Sequence, residues 1–300
     1  MCTAIFLKNK NSYFGRTLDL EYGYDEQVVI TPKNYKFTFR HEKTPRRLFP
    51  VIGMATVVNG YPLYYDAMNN HGVAMAALNF PGNAEYFAEK KDFTNIAPFE
   101  FIPWILRRCK NMTDVREQLK NINITDTPFS ARYPNTPLHW IIADKKEAIT
   151  VESTAGGLMI YDNSIGVLAN NPPFYLQQLN VTDNISTLPG DFESPSRFTR
   201  AAYIKSKSVP GKNETDSVTQ FFHIMDTVSQ VEGINVKNGK YVTTRYTSCM
   251  NQHKGIYYYT TYENRQISAV DINKTKPDSK TLITFPLVNK QQIFLHCVNK

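Results

Sequence analysis

The stretch that decides the fold is residues 1–19, MCTAIFLKNKNSYFGRTLD. The apolar run at residues 2–7 predicts a strand, the polar residues 8–11 predict a turn, and residues 12–15 predict a returning strand. Such a hairpin brings the far end of the second strand back beside Cys2. The polar residues that follow this strand are therefore expected near the start of the chain.

Cys2 stands directly behind Met1, and a methionine followed by a small residue is normally removed. Removal leaves Cys2 with a thiol and a free α-amine on the same Cα. A thiolate is a strong nucleophile, and the amine, with a pKa of about 7.7–8.0, can take a proton from the attacking group. The alternative is a small buried cysteine at the start of a strand, which is the commoner role for a cysteine there.

Two charged residues follow the predicted hairpin. Alternation along the strand places Arg16 on the side of Cys2, and Asp19 lies just beyond it. An arginine near a thiol favours the thiolate, and an aspartate near an α-amine can orient it through a charge-assisted hydrogen bond. The alternative is a surface Arg–Asp pair without function, which the local sequence alone favours.

Short motifs spread along the chain point to one family. They are GRTLD at 15–19, LNFP at 78–81, PLHW at 137–140, GVLAN at 166–170, LPGDF at 188–192, SRF at 196–198, YTSCM at 246–250 and KGIYYY at 254–259. In this order, together with the Met-Cys-Thr start, they resemble the choloylglycine hydrolase family, which contains conjugated bile acid hydrolases and penicillin V acylases. The resemblance covers nearly the whole chain.

The resemblance implies a catalytic set of six residues. It assigns the nucleophile and its own amine base to Cys2, the arginine near the thiol to Arg16, the carboxylate that holds the amine to Asp19, the oxyanion hole to the backbone N–H of Asn79 and the side-chain amide of Asn170, and the organising arginine to Arg197. Amide cleavage builds negative charge on the carbonyl oxygen, and each well-aimed donor stabilises it by roughly 3 kcal/mol. Without the resemblance, the two asparagines would be interpreted as turn residues.

The predicted substrate is a conjugated bile salt, cleaved to the free bile acid and glycine or taurine. Aromatic and apolar residues stand where the family places its substrate-facing loops: Leu18, Tyr61, Leu63, Tyr64, Tyr65, Phe129, Tyr133 and Leu138. Such clusters suit a rigid amphipathic steroid, although the residues alone fit a core equally well. Asn79 favours bile salts because classical penicillin V acylases carry a tyrosine there. The alternatives are penicillin V or another N-acyl amide, and a catalytically silent binding protein of the same fold.

Composition excludes several other classes of protein. No apolar run approaches 18 residues and no signal peptide is seen, so we expect no membrane span and a cytoplasmic location. Neither Cys2 nor the other cysteines (Cys109, Cys249 and Cys297) form a CxxC pair, so we expect no disulfide framework and no metal. The basic residues behind the net charge of +7 are dispersed, which argues against nucleic-acid binding. No cofactor is expected.

The element pattern predicts an α+β fold with layered sheets. The predicted helices are 98–110, 113–121 with Thr113 as cap, 195–206 and 216–229, and the predicted later strands are a three-strand meander over 138–161 and strands at 242–250, 255–262 and 265–271. No linker or repeat divides the chain. The resemblance sharpens this prediction to a four-layer αββα sandwich of the N-terminal nucleophile hydrolase type, with residues 1–300 as a single domain after removal of Met1.

One segment departs from the family pattern. Only thirteen residues separate Phe174 from Leu188, where many bile acid hydrolases carry a longer insertion. In the family that insertion forms a projecting hairpin used in tetramer assembly. We therefore expect a homodimer or a monomer, and the short 174–188 segment makes a tetramer doubtful.

Overall fold

The computed structural model of the chain describes residues 1–43, 48–181, 187–274 and 279–296. The strands are β1 (Cys2–Lys8), β2 (Ser12–Leu20), β3 (Gln27–Thr31), β4 (Val51–Val58), β5 (Tyr61–Asn69), β6 (Ala74–Asn79), β7 (Thr94–Ile96), β8 (Ile122–Ile124), β9 (Leu138–Ala143), β10 (Ala148–Thr154), β11 (Gly157–Asp162), β12 (Val167–Leu168), β13 (Asn235–Lys237), β14 (Lys240–Asn251), β15 (Ile256–Thr261), β16 (Ser268–Asp271) and β17 (Ile283–Pro286). The α-helices are α1 (Phe101–Leu106), α2 (Met112–Leu119), α3 (Phe174–Gln177), α4 (Ser194–Lys207) and α5 (Glu214–Asp226).

Two antiparallel sheets form the centre of the molecule. Within the described residues, one sheet has the order β12-β1-β2-β14-β15-β16, with β13 paired to β14. The other has the order β11-β10-β9-β6-β5-β4-β3-β17. A short parallel pair, β7 and β8, lies outside both sheets.

The apolar side chains divide into two cores. The first core joins the two sheets to α4 and α5, and it includes Phe14, Leu78 and Phe221. The second core lies between the other face of the β11–β17 sheet and α1 and α2, and it includes Ala77 and Trp140. Because successive side chains of a strand point to opposite faces, one strand supplies both cores.

The layers are therefore helix, sheet, sheet and helix, as predicted. Helices α4 and α5 pack on the sheet that contains β1, and α1 packs on β5 and β6 of the other sheet. The predicted meander over 138–161 forms β9, β10 and β11. Within the described residues, no helix is long and apolar enough to cross a membrane.

The helix predicted over 98–110 is shorter in the structure. A 3₁₀ turn at Pro98–Glu100 leads into α1, which ends at Leu106. The side chain of Asn69 donates to the carbonyl oxygens of Leu106 and Cys109, both at 2.7 Å, and so satisfies groups that the helix end leaves free. A core asparagine thus stabilises this helix end, and the local sequence did not indicate it.

The cap predicted for the next helix is wrong. Thr113 lies inside α2, and the N-cap is Asn111, whose side chain accepts the backbone N–H of Asp114 at 3.0 Å. Asparagine and threonine are both good caps, so composition alone did not separate the two positions. The strand predicted at 265–271 is also shorter and forms β16 from Ser268.

Candidate active site

The registers of β1 with its two neighbours bring distant parts of the chain to Cys2. On one side β2 pairs Cys2 with Leu18. On the other side β12 pairs Leu168 with Ala4, and continuing this antiparallel register places Asn170 opposite Cys2. The backbone nitrogen of Cys2 donates to Oδ1 of Asn170 at 2.7 Å.

Asn170 links Cys2 to the end of β6. Its amide nitrogen donates to the carbonyl oxygen of Asn79 at 2.7 Å, so the two asparagines predicted for an oxyanion hole are in direct contact. The backbone of Asn170 is held as well, because its N–H donates to the Ser194 hydroxyl at 2.8 Å and its carbonyl accepts from Gln177 at 2.6 Å. Ser194 and Gln177 were not predicted as site residues, since nothing in their local sequence marks them.

Arg197 reaches the same point from α4. Its guanidinium donates to the carbonyl oxygen of Cys2 at 2.6 Å, to the hydroxyl of Thr3 at 2.5 Å and to Oδ1 of Asn170 at 2.7 Å. The side chain is fully buried, and burial lowers the pKa of Arg197. Arg197 thereby fixes the position of both Cys2 and the Asn170 amide.

Arg16 lies on β2, opposite Ala4 and close to the thiol. Its guanidinium donates to the carbonyl oxygens of Thr17 at 3.0 Å, Tyr65 at 3.3 Å and Ala77. Burial lowers the pKa of Arg16, but the Cys2 thiol and nearby acidic groups together raise it above its ordinary value. The guanidinium is therefore a fixed positive charge beside Cys2, and such a charge favours the thiolate.

Asp19 meets the start of the chain through its backbone. The Met1 ammonium donates to the carbonyl oxygen of Asp19 at 2.7 Å, and the Asp19 N–H donates to the Met1 carbonyl at 3.0 Å. Its carboxylate accepts the hydroxyls of Thr17 at 3.2 Å and Thr244 at 2.7 Å. With Met1 in place, these two threonines orient the carboxylate close to the position that a trimmed terminus would occupy.

A second buried aspartate lies near Arg16, and the sequence did not single it out. Both carboxylate oxygens of Asp66 accept phenol hydroxyls, from Tyr246 at 2.5 Å and from Tyr257 at 2.6 Å. Burial raises the pKa of Asp66, although Arg16 opposes this shift. An aspartate inside the apolar strand β5 was the available signal, because a buried carboxylate needs partners.

The thiol of Cys2 is almost completely buried while Met1 is attached, with 2% of the residue exposed. Cys2 also uses its backbone nitrogen as an amide N–H donor to Asn170. The untrimmed chain therefore combines a covered nucleophile with a nitrogen that is unable to act as a base. Within the described residues, no cluster of His, Cys, Asp and Glu could hold a metal ion.

Two of the predicted substrate-binding residues lie close to Cys2. Leu18 is its cross-strand partner on β2. Tyr65 packs against the first core, and its carbonyl oxygen accepts a hydrogen bond from Arg16. Its hydroxyl is hydrogen-bonded to that of Thr56 at 2.8 Å. Leu63, two residues before Tyr65 on β5, is half-buried.

The remaining predicted substrate-binding residues belong to the other face of the sheet. Tyr64 is buried in the second core, where its hydroxyl contacts that of Thr31 at 2.7 Å. Tyr61 and Leu138 pack against the same core. Half-buried Phe129 lies with its ring centroid 5.3 Å from that of Tyr61 and 6.0 Å from that of Tyr133. Tyr61, Tyr64 and Leu138 thus belong to the core that does not contain Cys2, and Phe129 and Tyr133 join them through the ring of Tyr61.

Comparison with known proteins agrees with the predicted family and fold. Residues 2–285 match the family described as linear amide C–N hydrolases, choloylglycine hydrolase family. The chain is 42% identical over 321 aligned positions to a bile salt hydrolase/transferase of Lactiplantibacillus plantarum, covering 98% of this chain and 99% of the relative.

Solved structures are similar over the same extent. A mutant of conjugated bile acid hydrolase from Clostridium perfringens superposes with a TM-score of 0.88 at 36% identity, covering 100% of both chains. Penicillin V acylase from Agrobacterium tumefaciens gives a TM-score of 0.77 at 16% identity, covering 95% of this chain and 91% of that one, and supports the fold alone. With its αββα layers and the cluster around Cys2, the chain belongs to the choloylglycine hydrolase family of linear amide C–N hydrolases.

Proposed function

We propose that the protein hydrolyses the C–N amide bond of glycine- or taurine-conjugated bile salts, with the Cys2 thiolate as nucleophile. The observation that carries this proposal is the single hydrogen-bonded unit formed by Cys2, Asn170, Arg197 and Asn79. The choice of substrate rests on relatives such as the L. plantarum protein, which is named a bile salt hydrolase/transferase.

The reaction begins after Met1 is removed and the α-amine of Cys2 is free. The neutral amine takes the thiol proton, and the sulfur forms a bond to the substrate carbonyl carbon. The carbonyl π electrons move to oxygen, and the backbone N–H of Asn79 and the amide of Asn170 donate to this oxyanion. An amide nitrogen carries two hydrogens, so the bond from Asn170 to Asn79 leaves one for the substrate.

Collapse of this intermediate breaks the C–N bond. The α-ammonium of Cys2 gives its proton to the leaving nitrogen, which departs as glycine or taurine and leaves a thioester. Water then attacks the thioester, with the α-amine again taking the proton, and the C–S bond breaks to release the bile acid. Arg16 favours the thiolate in each cycle, and Asp19 orients the amine.

The steroid would lie over the residues near the thiol. Leu18 on β2 and Tyr65 on β5 would contact it, and Leu63 lies two residues before Tyr65 on β5. Tyr61, Tyr64 and Leu138 belong to the second core, so binding roles for them, and for Phe129 and Tyr133 beside Tyr61, would require contacts at the rim of that face.

Two other activities would also proceed through a thioester on Cys2. If an amine attacked the thioester in place of water, the enzyme would act as a transferase. The name of the L. plantarum relative includes that word. Penicillin V or another N-acyl amide would enter as an alternative acyl donor. A catalytically silent binding protein would form no thioester, and the complete set of six residues argues against it.

We further propose a cytoplasmic enzyme that acts on a small molecule, with no nucleic-acid partner, and that forms at most a homodimer. A reducing cytoplasm keeps a reactive thiol such as that of Cys2 in its active form. Fractionation of cells that express the protein, followed by its detection with a specific antibody, would check this location.

The experiment that tests the activity is direct detection of the released amine. The purified protein is incubated with glycocholate, taurocholate and penicillin V, and glycine, taurine and 6-aminopenicillanic acid are measured by mass spectrometry. We expect glycine and taurine from the wild type and neither from Cys2→Ala. Release of neither product by the wild type with Cys2 at its terminus would overturn the proposal, and faster cleavage of penicillin V would replace its substrate.

A further inference from the structure

A fully buried histidine and glutamate contact the chain neighbours of the two asparagines of the proposed oxyanion hole. His139 on β9 and Glu152 on β10 are cross-strand partners, and Nδ1 of the histidine lies 3.0 Å from Oε1 of the glutamate. Neither side chain is exposed to any measurable extent. The mechanism above does not use them, and a buried ionisable pair without a role is costly to retain.

The histidine holds the residue before Asn170. Its Nε2 lies 2.8 Å from the carbonyl oxygen of Ala169. Because a carbonyl oxygen can only accept, Nε2 carries a hydrogen and donates it. The Nδ1 atom and the glutamate then share one further proton, so the pair is neutral overall whichever of the two carries it.

The same imidazole supports the residue after Asn79. The ring of Phe80 stacks on that of His139 with centroids 4.2 Å apart and planes 6° from parallel. The β6–β9 register pairs Leu78 with His139 and Asn79 with Leu138, so His139 also borders Asn79 along the backbone.

Glu152 extends the connection to the segment that holds the backbone of Asn170. Its Oε1 accepts the backbone N–H of Phe174, the first residue of α3, at 2.9 Å. At the end of α3, the amide of Gln177 accepts from the Ala169 N–H at 3.1 Å and donates to the Asn170 carbonyl at 2.6 Å. The pair thus contacts the segments on both sides of Asn170.

We propose that His139 and Glu152 are positioning residues that set the separation and orientation of the two oxyanion donors, Asn79 and Asn170. This inference rests on the proposed function, because it assumes that these asparagines receive the oxyanion. The pair touches no substrate. It acts through Ala169 and Phe80, the chain neighbours of the two donors.

Two amide substitutions separate positioning from simple packing. In His139→Gln the side-chain nitrogen falls near the position of Nε2 and can still donate to Ala169. In His139→Asn the amide falls near Nδ1 and reaches only Glu152. Both lose the ring that stacks on Phe80. Only His139→Asn loses the bond to Ala169, and it keeps the contact with Glu152, so a lower kcat in His139→Asn than in His139→Gln reports the bond to Ala169.

We expect His139→Asn to lower kcat about 10- to 100-fold with little change in KM, since a shift of about 1 Å in a catalytic group costs up to a hundredfold. We expect His139→Gln to stay within a few-fold of the wild type. Rates are expressed per Cys2 alkylated by iodoacetamide while Cys109 and Cys249 stay unmodified, because unfolding exposes those two buried thiols as well. Thr31→Val is the matched control, because it removes a buried hydroxyl that contacts Tyr64 on the face of the same sheet away from Cys2, and it should leave kcat unchanged.

Binding of a bile-acid aldehyde reports the oxyanion hole without turnover. The thiolate of Cys2 adds to the aldehyde carbon, and the carbonyl electrons move to an oxygen that occupies the hole. We expect His139→Asn to weaken this binding by the same factor as kcat while binding of the corresponding alcohol is unchanged. In an Asn170→Ala background, His139→Asn should add little, because residues that act as a unit are not additive.

The outcomes distinguish this inference from the proposed function. If Asn170→Ala lowers kcat and weakens aldehyde binding but His139→Asn and His139→Gln behave alike, the positioning role is wrong. Fully additive effects of His139→Asn and Asn170→Ala would also overturn it. If Asn170→Ala itself changes neither kcat nor aldehyde binding, the oxyanion assignment falls, and this inference falls with it. If His139→Asn proves too unstable to purify, Glu152→Gln takes its place, with a smaller loss of kcat expected and unchanged kcat contradicting the role.

Discussion

At the residue scale, Met1 is bonded to the nitrogen of Cys2 that the mechanism needs as its general base. With Met1 attached, the nitrogen of Cys2 is an amide that donates to Asn170, and the ammonium of Met1 is turned to the backbone carbonyl of Asp19. An amide nitrogen has no lone pair available for a proton, so the untrimmed chain has the nucleophile without its base.

We therefore predict that the active protein begins at Cys2. Its intact mass should be lower than that of the full sequence by one methionine residue. A large residue at position 3, as in Thr3→Trp, would hinder removal of Met1 but would also disturb Arg197, which contacts Thr3. The control is therefore the wild-type protein expressed in the presence of a methionine aminopeptidase inhibitor, compared with the same protein expressed without it. An active preparation in which every chain still starts at Met1 would refute the self-contained base.

The described cysteines differ strongly in environment, and this predicts the order of their alkylation. Burial raises the pKa of Cys109 to about 12 and that of Cys249 well above its ordinary value. Cys2 lies beside Arg16 and gains an adjacent amine on trimming. Because the thiolate fraction governs reactivity, iodoacetamide should modify Cys2 before Cys109 and Cys249 and abolish activity in step.

Peptide mapping by mass spectrometry checks this order. Cys2→Ala should be inactive, keep the melting temperature of the wild type within a few degrees, and show no fast alkylation phase. Alkylation of Cys249 ahead of Cys2 with activity retained would mean that the nucleophile is assigned wrongly. Cys297, which lies outside the described residues, is followed in the same maps.

At the element scale, local sequence patterns correctly predicted those elements that depend on contacts between residues close in the sequence. The β1–β2 hairpin formed as expected because its two strands are adjacent in the sequence, and its register follows from a short turn. The helix predicted over 216–229 forms α5, and Phe221, Phe222, Met225 and Val228 are buried in the first core.

The sequence did not predict contacts between strands that are distant along the chain. Asp66, Tyr246 and Tyr257 come from β5, β14 and β15, and they meet only because two different sheets face each other. His139 and Glu152 similarly depend on the β9–β10 register. Cys2, Arg16 and Asp19 were proposed from the hairpin, whereas the proposed roles of Asn79, Asn170 and Arg197 came only from the family resemblance, since no spacing within this chain connects Cys2 to them.

The correction at α2 leads to a stability prediction. Asn111→Ala removes the acceptor of the Asp114 N–H at the start of the helix, and such a loss costs about 1 kcal/mol. Thr113→Ala lies one residue inside the helix and should lower the free energy of unfolding by much less. Chemical denaturation of the two variants measures the difference. A larger decrease in the free energy of unfolding for Thr113→Ala would indicate that Thr113 is the cap, as the sequence predicted.

At the scale of the whole molecule, the sequence alone indicated layered sheets, and the resemblance supplied the order of the layers. The first core is shared by both sheets and by α4 and α5, which supports the proposal that residues 1–300 form a single domain. We predict one cooperative unfolding transition, with equal calorimetric and van't Hoff enthalpies. Two separable transitions, reproduced at several scan rates, would contradict a single domain.

The segment between Phe174 and Leu188 sets the expected assembly and selectivity. It begins with α3 and a 3₁₀ turn at Gln178–Asn180, whose Leu179 is 71% exposed, while residues 182–186 of the segment lie outside the described residues. At about 3.3 Å per extended residue, thirteen residues folded into a hairpin reach roughly 20 Å at most, and the helical turns shorten that reach.

We therefore predict a monomer or dimer by light scattering at micromolar concentration, together with an open mouth on this side of the site. An open mouth lets either headgroup extend into water, so kcat/KM for glycine and taurine conjugates should agree within about tenfold, a difference of about 1.4 kcal/mol. Leu179→Ser controls for self-association through this exposed side chain and should leave kcat/KM unchanged for both conjugates. A stable tetramer would refute the predicted assembly. A hundredfold preference for one conjugate would show that other residues close the mouth and select the headgroup.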